Sequence, residues 1–238
     1  MNRVLRIIPA LILSVLLSSC GVLKLRNAAV YYAGEPVVAG YTPEGTVEQR
    51  EYVCSVKGPS HRRMIVYLPA GYADSGQSYP VLYLIHGARG YETSWIRKGN
   101  MLQITDSLFR HSLARPCIVV MPNMNQYNDD RDFDDSRYKS MVESLFEVDG
   151  AVESGFMDDV VSFIDSHYNT MADKEHRAVA GCSLGGLQSM YISANNPESF
   201  GYVGLFSPVC SIIRKKSPYS SFYKDRKEKQ IVQFSQEQ

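Results

Sequence analysis

The sequence predicts an α/β fold, a three-layer sandwich of helices on a mostly parallel sheet that begins with antiparallel strands. Three observations carry this reading. Continuous apolar runs of strand length, PVLYLI (80–85), CIVVM (117–121), RAVAG (177–181) and GYVGLF (201–206), are how strands buried on both faces read. Helical stretches lie between them, and that alternation implies sheet strands joined by helical crossovers. Ahead of them, two segments alternate apolar and polar residues in strand fashion.

Taken in order, VEQREYVCSV (47–56) and RRMIVYL (62–68) flank a Gly58-Pro59 break and predict an antiparallel hairpin. After the strand at 80–85 a helix is expected near Met101 to Leu113, stopped by Pro116, and Pro122 closes the strand at 117–121. Phe156, Val160, Phe163, Ile164 and Tyr168 recur near helical spacing, with Asp158 and Asp159 where the helix dipole favours them, so a surface helix laid on the sheet is expected there. The strand at 177–181, a helix over 184–195 and the strand at 201–206 follow. KQIVQF (229–234) reads as the start of a further strand, approached by a solvated run, KDRKEK (224–229).

The 238 residues suffice for one domain with a sizeable core. Lysine plus arginine number 25 and aspartate plus glutamate 25, so neither a nucleic-acid partner nor acidic disorder is expected. At the N-terminus, Arg3 and Arg6 precede an apolar run from Ile7 to Leu17, too short for a permanent membrane span and typical of a secretory signal. Leu17-Ser18-Ser19-Cys20 resembles the lipobox of bacterial lipoproteins, which implies lipid on Cys20 and an exported chain, periplasmic or at the cell surface, anchored to the membrane. A plain cleaved signal with a chance cysteine is the competing reading. The domain organisation expected is therefore a signal over 1–20, a tether over 21–45 and one α/β domain over 46–238. Cys54, Cys117, Cys182 and Cys210 are even in number and would lie in a disulfide-permissive compartment, but they form no CxxC pair. Buried free thiols are the default.

Gly181-Cys182-Ser183-Leu184-Gly185 fits GxSxG, in which a tight strand-to-helix turn lifts a serine hydroxyl above the sheet. Chance supplies on the order of 0.1 such matches in a chain of this length, so context decides. The motif lies after an expected buried strand and before an expected helix. Upstream, His86-Gly87-Ala88-Arg89-Gly90 ends the strand at 80–85 and forms an HGxxG loop. Main-chain N–H groups of Ala88 and Leu184 can then serve as an oxyanion hole, each such donor typically worth roughly 3 kcal/mol of barrier. His86 and Gly87 support that loop. The bland readings are a small residue in a non-catalytic βα turn for Ser183 and a loop-bonding histidine for His86.

The segments VYLPAGY, YPVLYLIHGARGYETSW, VVMPN, FIDSHYNT and RAVAGCSLGG, in this order, resemble the esterase family that contains feruloyl and acetyl-xylan esterases, S-formylglutathione hydrolases and mycolyltransferases. The resemblance implies the α/β-hydrolase fold and ester hydrolysis through an acyl-enzyme on Ser183, with no cofactor and no metal. It also implies an acyl or feruloyl ester of a small molecule or polysaccharide as substrate. Trp95, the one tryptophan, falls in its ETSW segment and is read as a packing residue near the mouth of the site.

The pattern breaks after the serine. Such hydrolases order the triad as serine, acid, histidine, yet His61, His86, His111, His167 and His176 all precede Ser183. The acids that follow are Glu198, Asp225, Glu228 and Glu237, none of them just after a convincing buried strand. The expectation is that the last strands, with the acid and the histidine, lie beyond Gln238 and that the chain as given is nearly inactive. Loss of a triad histidine costs on the order of 10⁶-fold in turnover, about 8 kcal/mol. Poor solubility, from an open sheet edge, is expected with it. A rival reading is a non-catalytic surface lipoprotein that keeps the scaffold to hold glycan or a partner. DDRDFDD (129–135) invites a calcium loop, but Asp135 and Met141 stand where glycine and glutamate are needed, leaving a solvated loop or a substrate contact.

Overall fold

In the computed structural model the described residues are 41–56, 61–124 and 151–208, all within the second of two compact units, Val38–Gln238. The signal at 1–20 with Cys20, the tether up to residue 40, the acidic run 129–135, Cys210, and the segments 224–229 and 229–234 lie outside them.

Among the described residues six strands form one sheet: β1 Thr46–Val53, β2 His61–Leu68, β3 Val81–Ile85, β4 Ile118–Pro122, β5 Arg177–Cys182 and β6 Tyr202–Phe206. Their order is β1-β2-β4-β3-β5-β6, with β2 antiparallel to both β1 and β4, and β4, β3, β5 and β6 parallel to one another. Side chains alternate across a strand, so a wholly apolar strand supplies two cores. Met64, Val66, Leu68, Tyr83, Ile118 and Val120 enter one cluster, and Ile65, Tyr67, Leu84, Val119 and Met121 enter another. The first is covered by Phe156, Val160, Val161, Ile164 and Ile192, and the second by Met101 and the half-buried Trp95, Ile96, Leu102 and Phe109. Helices on both faces give the three layers expected.

The α-helices among the described residues are α1 Tyr72–Ser75, α2 Ser94–Gly99, α3 Met101–Arg110, α4 Ala151–Ser154, α5 Ser162–His167 and α6 Leu184–Asn195. The helix expected to reach Leu113 ends at Arg110, beyond which Ser112 takes a positive φ of 53°. The surface helix expected from Phe156 begins earlier, and its middle, Met157–Val161, is a π-helical turn in which Ser162 N–H bonds Met157 O. Asp159 in that turn accepts Ser55 N–H at 3.0 Å, tying it to the end of β1.

The last residues of the expected tether are docked. Tyr41 Oη donates to Asp106 Oδ2 at 2.8 Å, Glu44 N–H donates to the same oxygen at 2.8 Å, and Arg110 pairs with Glu44. Asp106 is buried on α3 and also accepts the Tyr67 hydroxyl. At the other side, β6 has only β5 beside it among the described residues, and it exposes Tyr202, Leu205 and Phe206.

Candidate active site

The strands β3, β4 and β5 end on one edge of the sheet, and the candidate site is assembled there. Ser183 stands between β5 and α6 with φ 55° and ψ −114°, the conformation glycine takes at the first central position of a type II′ turn. A serine held there stores on the order of 1–3 kcal/mol of strain, which persists only where the surroundings fix it. They do so on both sides, because Ser183 N–H donates to Phe206 O of β6 at 2.9 Å and Leu187 N–H donates to Ser183 O at 3.3 Å.

The two glycines of the motif are explained by close approach. A Cβ on Gly181 would lie 2.3 Å from the Gly185 carbonyl, and one on Gly185 would lie 2.4 Å from His86 O and 2.5 Å from Ile85 O. Such distances are inside van der Waals contact with backbone that cannot yield. The elbow is therefore packed directly on the end of β3 and the start of the HGxxG loop.

That loop reaches over the serine. A Cβ on Gly87 would lie 3.6 Å from Ser183 Cβ, and Ala88 packs in one small apolar cluster with Leu184 and Leu187. Leu184 opens α6, where an N–H has no intrahelical acceptor and the helix dipole favours negative charge. Ser183 itself is half-buried, not sealed in the core. This arrangement brings the Ser183 turn, the Gly87-Ala88 backbone and the first residue of α6 together at one end of the sheet.

His86 is buried and both ring nitrogens are engaged, Nδ1 with Gly87 O at 2.8 Å and Nε2 with the Met124 N–H at 3.0 Å. An amide N–H only donates, so Nε2 is the acceptor and the ring proton is on Nδ1. Burial holds its pKa down to about 4, and the nearby Arg62 charge acts in the same direction. A ring so committed has no free nitrogen to take a proton from Ser183.

The other histidines are elsewhere. His176 precedes β5 at the end opposite Ser183, with the whole strand and so about 20 Å between them, and pairs with Asp173 at 2.7 Å. His167 closes α5 stacked on Phe163, and His111 caps α3 with Nδ1 on Ser107 O at 2.8 Å. His61 starts β2, three strand spacings from β5, about 14 Å. Glu198 is exposed and pairs with Lys174 at 3.5 Å. Asp225, Glu228 and Glu237 lie outside the described residues.

Trp95 packs in the second core cluster, its ring set edge-on to Phe206 at 6.4 Å between centroids. Cys54, Cys117 and Cys182 are free thiols, and burial raises the pKa of Cys182 beside the serine. Sequence reasoning missed the buried polar groups behind the loop. Glu92 accepts Asn123 Nδ2 at 2.7 Å and faces Arg63 Nε at 3.3 Å, and Gln188 Nε2 donates to the buried Glu153 at 2.7 Å. Glu92 and Asn123 stood in the YETSW and MPN segments, but nothing local showed that they meet.

Residues 55–236 match the model of the family described as "Putative esterase". The chain belongs to the esterase family. Among its relatives, an endo-1,4-beta-xylanase/feruloyl esterase of Xylanibacter ruminicola is 38% identical over 146 residues, covering 60% of this chain and 19% of that protein. An esterase of Mycobacterium tuberculosis is 31% identical over 149 residues, 63% of this chain and 29% of the relative. This esterase chain thus spans less than a third of the length of these curated relatives. A solved ferulic acid esterase of Anaeromyces mucronatus, in complex with ferulic acid, superposes with a TM-score of 0.60 at 26% identity, covering 74% of this chain and 62% of the other. An S-formylglutathione hydrolase of Agrobacterium tumefaciens shares the fold, with a TM-score of 0.53 at 18% identity over 71% of this chain and 60% of that one. The fold is that of the α/β-hydrolases.

Proposed function

We propose that this esterase is a serine carboxylesterase acting on acyl or feruloyl esters of carbohydrates through an acyl-enzyme on Ser183. The observation that carries the reading is the strained φ of 55° at a half-buried Ser183, beneath the Gly87-Ala88 backbone. The similarity to a xylanase/feruloyl esterase and to a ferulate-binding esterase supports the substrate class.

In this mechanism Ser183 Oγ attacks the ester carbonyl and loses its proton to a base, and the Ala88 and Leu184 N–H groups stabilise the oxyanion. Collapse of the tetrahedral intermediate expels the alcohol of the sugar, and water then releases the acid. The base is not one of the five histidines, given that both ring nitrogens of His86 are hydrogen-bonded and that the rest lie far from Ser183 in the topology. Turnover by these 238 residues alone is therefore low in this reading.

Exogenous imidazole tests it, because a diffusible base can stand in for an absent ring. With p-nitrophenyl acetate, imidazole is expected to accelerate acetylation of Ser183 above the reaction of imidazole alone, with no such increment in Ser183→Ala. Equal increments in both proteins would defeat the proposal. Ordinary esterase rates without imidazole, abolished by Ser183→Ala, would overturn the claim of low activity alone.

The lack of a reachable histidine favours one second reading, a non-catalytic scaffold that holds glycan, which predicts sugar binding without acylation in the same assay. Lipid on Cys20 and export remain part of the proposal, supported by the Leu17–Cys20 sequence. Partition of the full-length protein into the detergent phase, lost in Cys20→Ala, tests that part.

A further inference from the structure

We propose that the turn bearing the Ala88 amide is clamped from both ends by two consecutive residues leaving β4, Asn123 and Met124, and that His86 and Glu92 are the positioning residues through which they act. The inference rests on the esterase reading for its effect on rate, and on geometry alone for the clamp.

At the near end, His86 Nδ1–H donates to Gly87 O at 2.8 Å while Gly90 N–H donates to the same carbonyl at 3.1 Å. These two bonds close the turn upon itself. They do not fix where the turn stands relative to the sheet. The Met124 N–H to His86 Nε2 bond at 3.0 Å does that, joining the turn to the chain that leaves the neighbouring strand. At the far end, Glu92 is 1% exposed, and its carboxylate holds Asn123 Nδ2 at 2.7 Å and faces Arg63 Nε at 3.3 Å.

Asn123 is itself fully buried and anchored to β2. Its N–H donates to Arg63 O at 2.9 Å, and its carbonyl accepts Arg62 Nη1 at 3.3 Å. The chain of reference therefore runs from Arg62 and Arg63 through Asn123 and Met124 to His86 and Glu92, and so to Ala88. The bonds from Arg62 to Asn123, from Asn123 to Glu92 and from Met124 to His86 are buried, where a hydrogen bond is strong and a broken one is costly. Fixing matters because an oxyanion donor works over a narrow distance range, and a misplacement of about 1 Å can cost on the order of 10²-fold in rate.

Two amide side chains separate the two bonds of His86. In Asn the terminal amide falls near the position of Nδ1, and in Gln near that of Nε2, so His86→Asn keeps the bond within the turn and His86→Gln keeps the bond to Met124. The full chain and its H86N, H86Q and E92Q variants are to be compared by the imidazole-dependent rate at which a fluorophosphonate labels Ser183, and by the Ala88 and Met124 amide resonances in 15N spectra. The clamp predicts at least about ten-fold slower labelling in H86N and E92Q, with Ala88 shifted, and a smaller loss in H86Q with the Met124 resonance retained.

Equal labelling of H86N and H86Q, both folded, would overturn the proposal. If the parent chain does not label at all, the esterase reading fails while the spectra still decide the clamp. Ala88 resonances that move in H86N and E92Q, which lose a tie to the chain leaving β4 while the His86 position of H86N keeps its bond to Gly87 O, uphold it, and an Ala88 amide that stays put in either of these two variants removes it.

Discussion

The main-chain N–H of Ser183 donates to the carbonyl of Phe206 at 2.9 Å, so the serine's own amide is committed to β6 and the donors for an oxyanion must come from its neighbours. The same bond helps to hold the residue at φ 55°. Glycine takes this conformation without a Cβ penalty. Ser183→Gly is therefore expected to be more stable than Ser183→Ala by about 1 kcal/mol, although both lose the hydroxyl. Urea unfolding of the two variants measures the difference, and equal midpoints would show that the turn is unstrained.

Gly185 is expected to tolerate no side chain. The nearest atoms to a new Cβ are His86 O at 2.4 Å and Ile85 O at 2.5 Å, and both belong to backbone at the end of β3. Gly185→Ala should cost about 3 kcal/mol by forcing the elbow off the strand. Denaturant unfolding reads the cost, and retained stability with retained labelling of Ser183 would contradict the packing described.

Asp106 links the segment at 41–45 to the domain. It is 1% exposed and accepts from Tyr41 Oη and Glu44 N–H, each at 2.8 Å, and from the fully buried Tyr67 hydroxyl. Asp106→Ala leaves that hydroxyl buried without its acceptor and should cost about 3 kcal/mol, more than Tyr67→Phe, which removes donor and need together. Hydrogen exchange at the Glu44 amide should rise in Asp106→Ala and stay slow in Tyr67→Phe.

His86 makes stability depend on pH. Its folded pKa is lowered, by burial first, from 6.5 to about 4, so between these values the unfolded chain binds a proton that the folded chain does not. Its contribution is present in full above pH 6.5 and is lost as the pH falls toward about 4, a change of about 3 kcal/mol. His86→Gln, which cannot titrate, should lose less stability than the parent between pH 7 and pH 4.5. Parallel loss in both would place the acid sensitivity elsewhere.

The sequence made the parallel strands legible because burial on both faces leaves no polar residue to interrupt a strand such as Ile118–Val120. The elbow was legible because GxSxG spacing follows from two glycines meeting backbone at close range. Less was visible where contacts join distant segments. Glu92 and Asn123 meet only because β3 and β4 are adjacent, and no local period announces that. Residues 41–45 read as a tether since polar bonds to Asp106, not an apolar stripe, dock them. The π-helical turn at Met157–Val161 left the apolar spacing of Phe156, Val160 and Ile164 intact, so the sequence read it as an ordinary helix.

The central claim is that a hydroxyl on the bend after β5 is the reacting group. Treating the full chain with a fluorophosphonate in the presence of imidazole and locating the adduct by peptide mass spectrometry tests it most directly. The account predicts phosphonate on the peptide containing Gly181 to Gly185, at Ser183, and none in Ser183→Ala. An adduct on another residue, or undiminished labelling of Ser183→Ala, would contradict it.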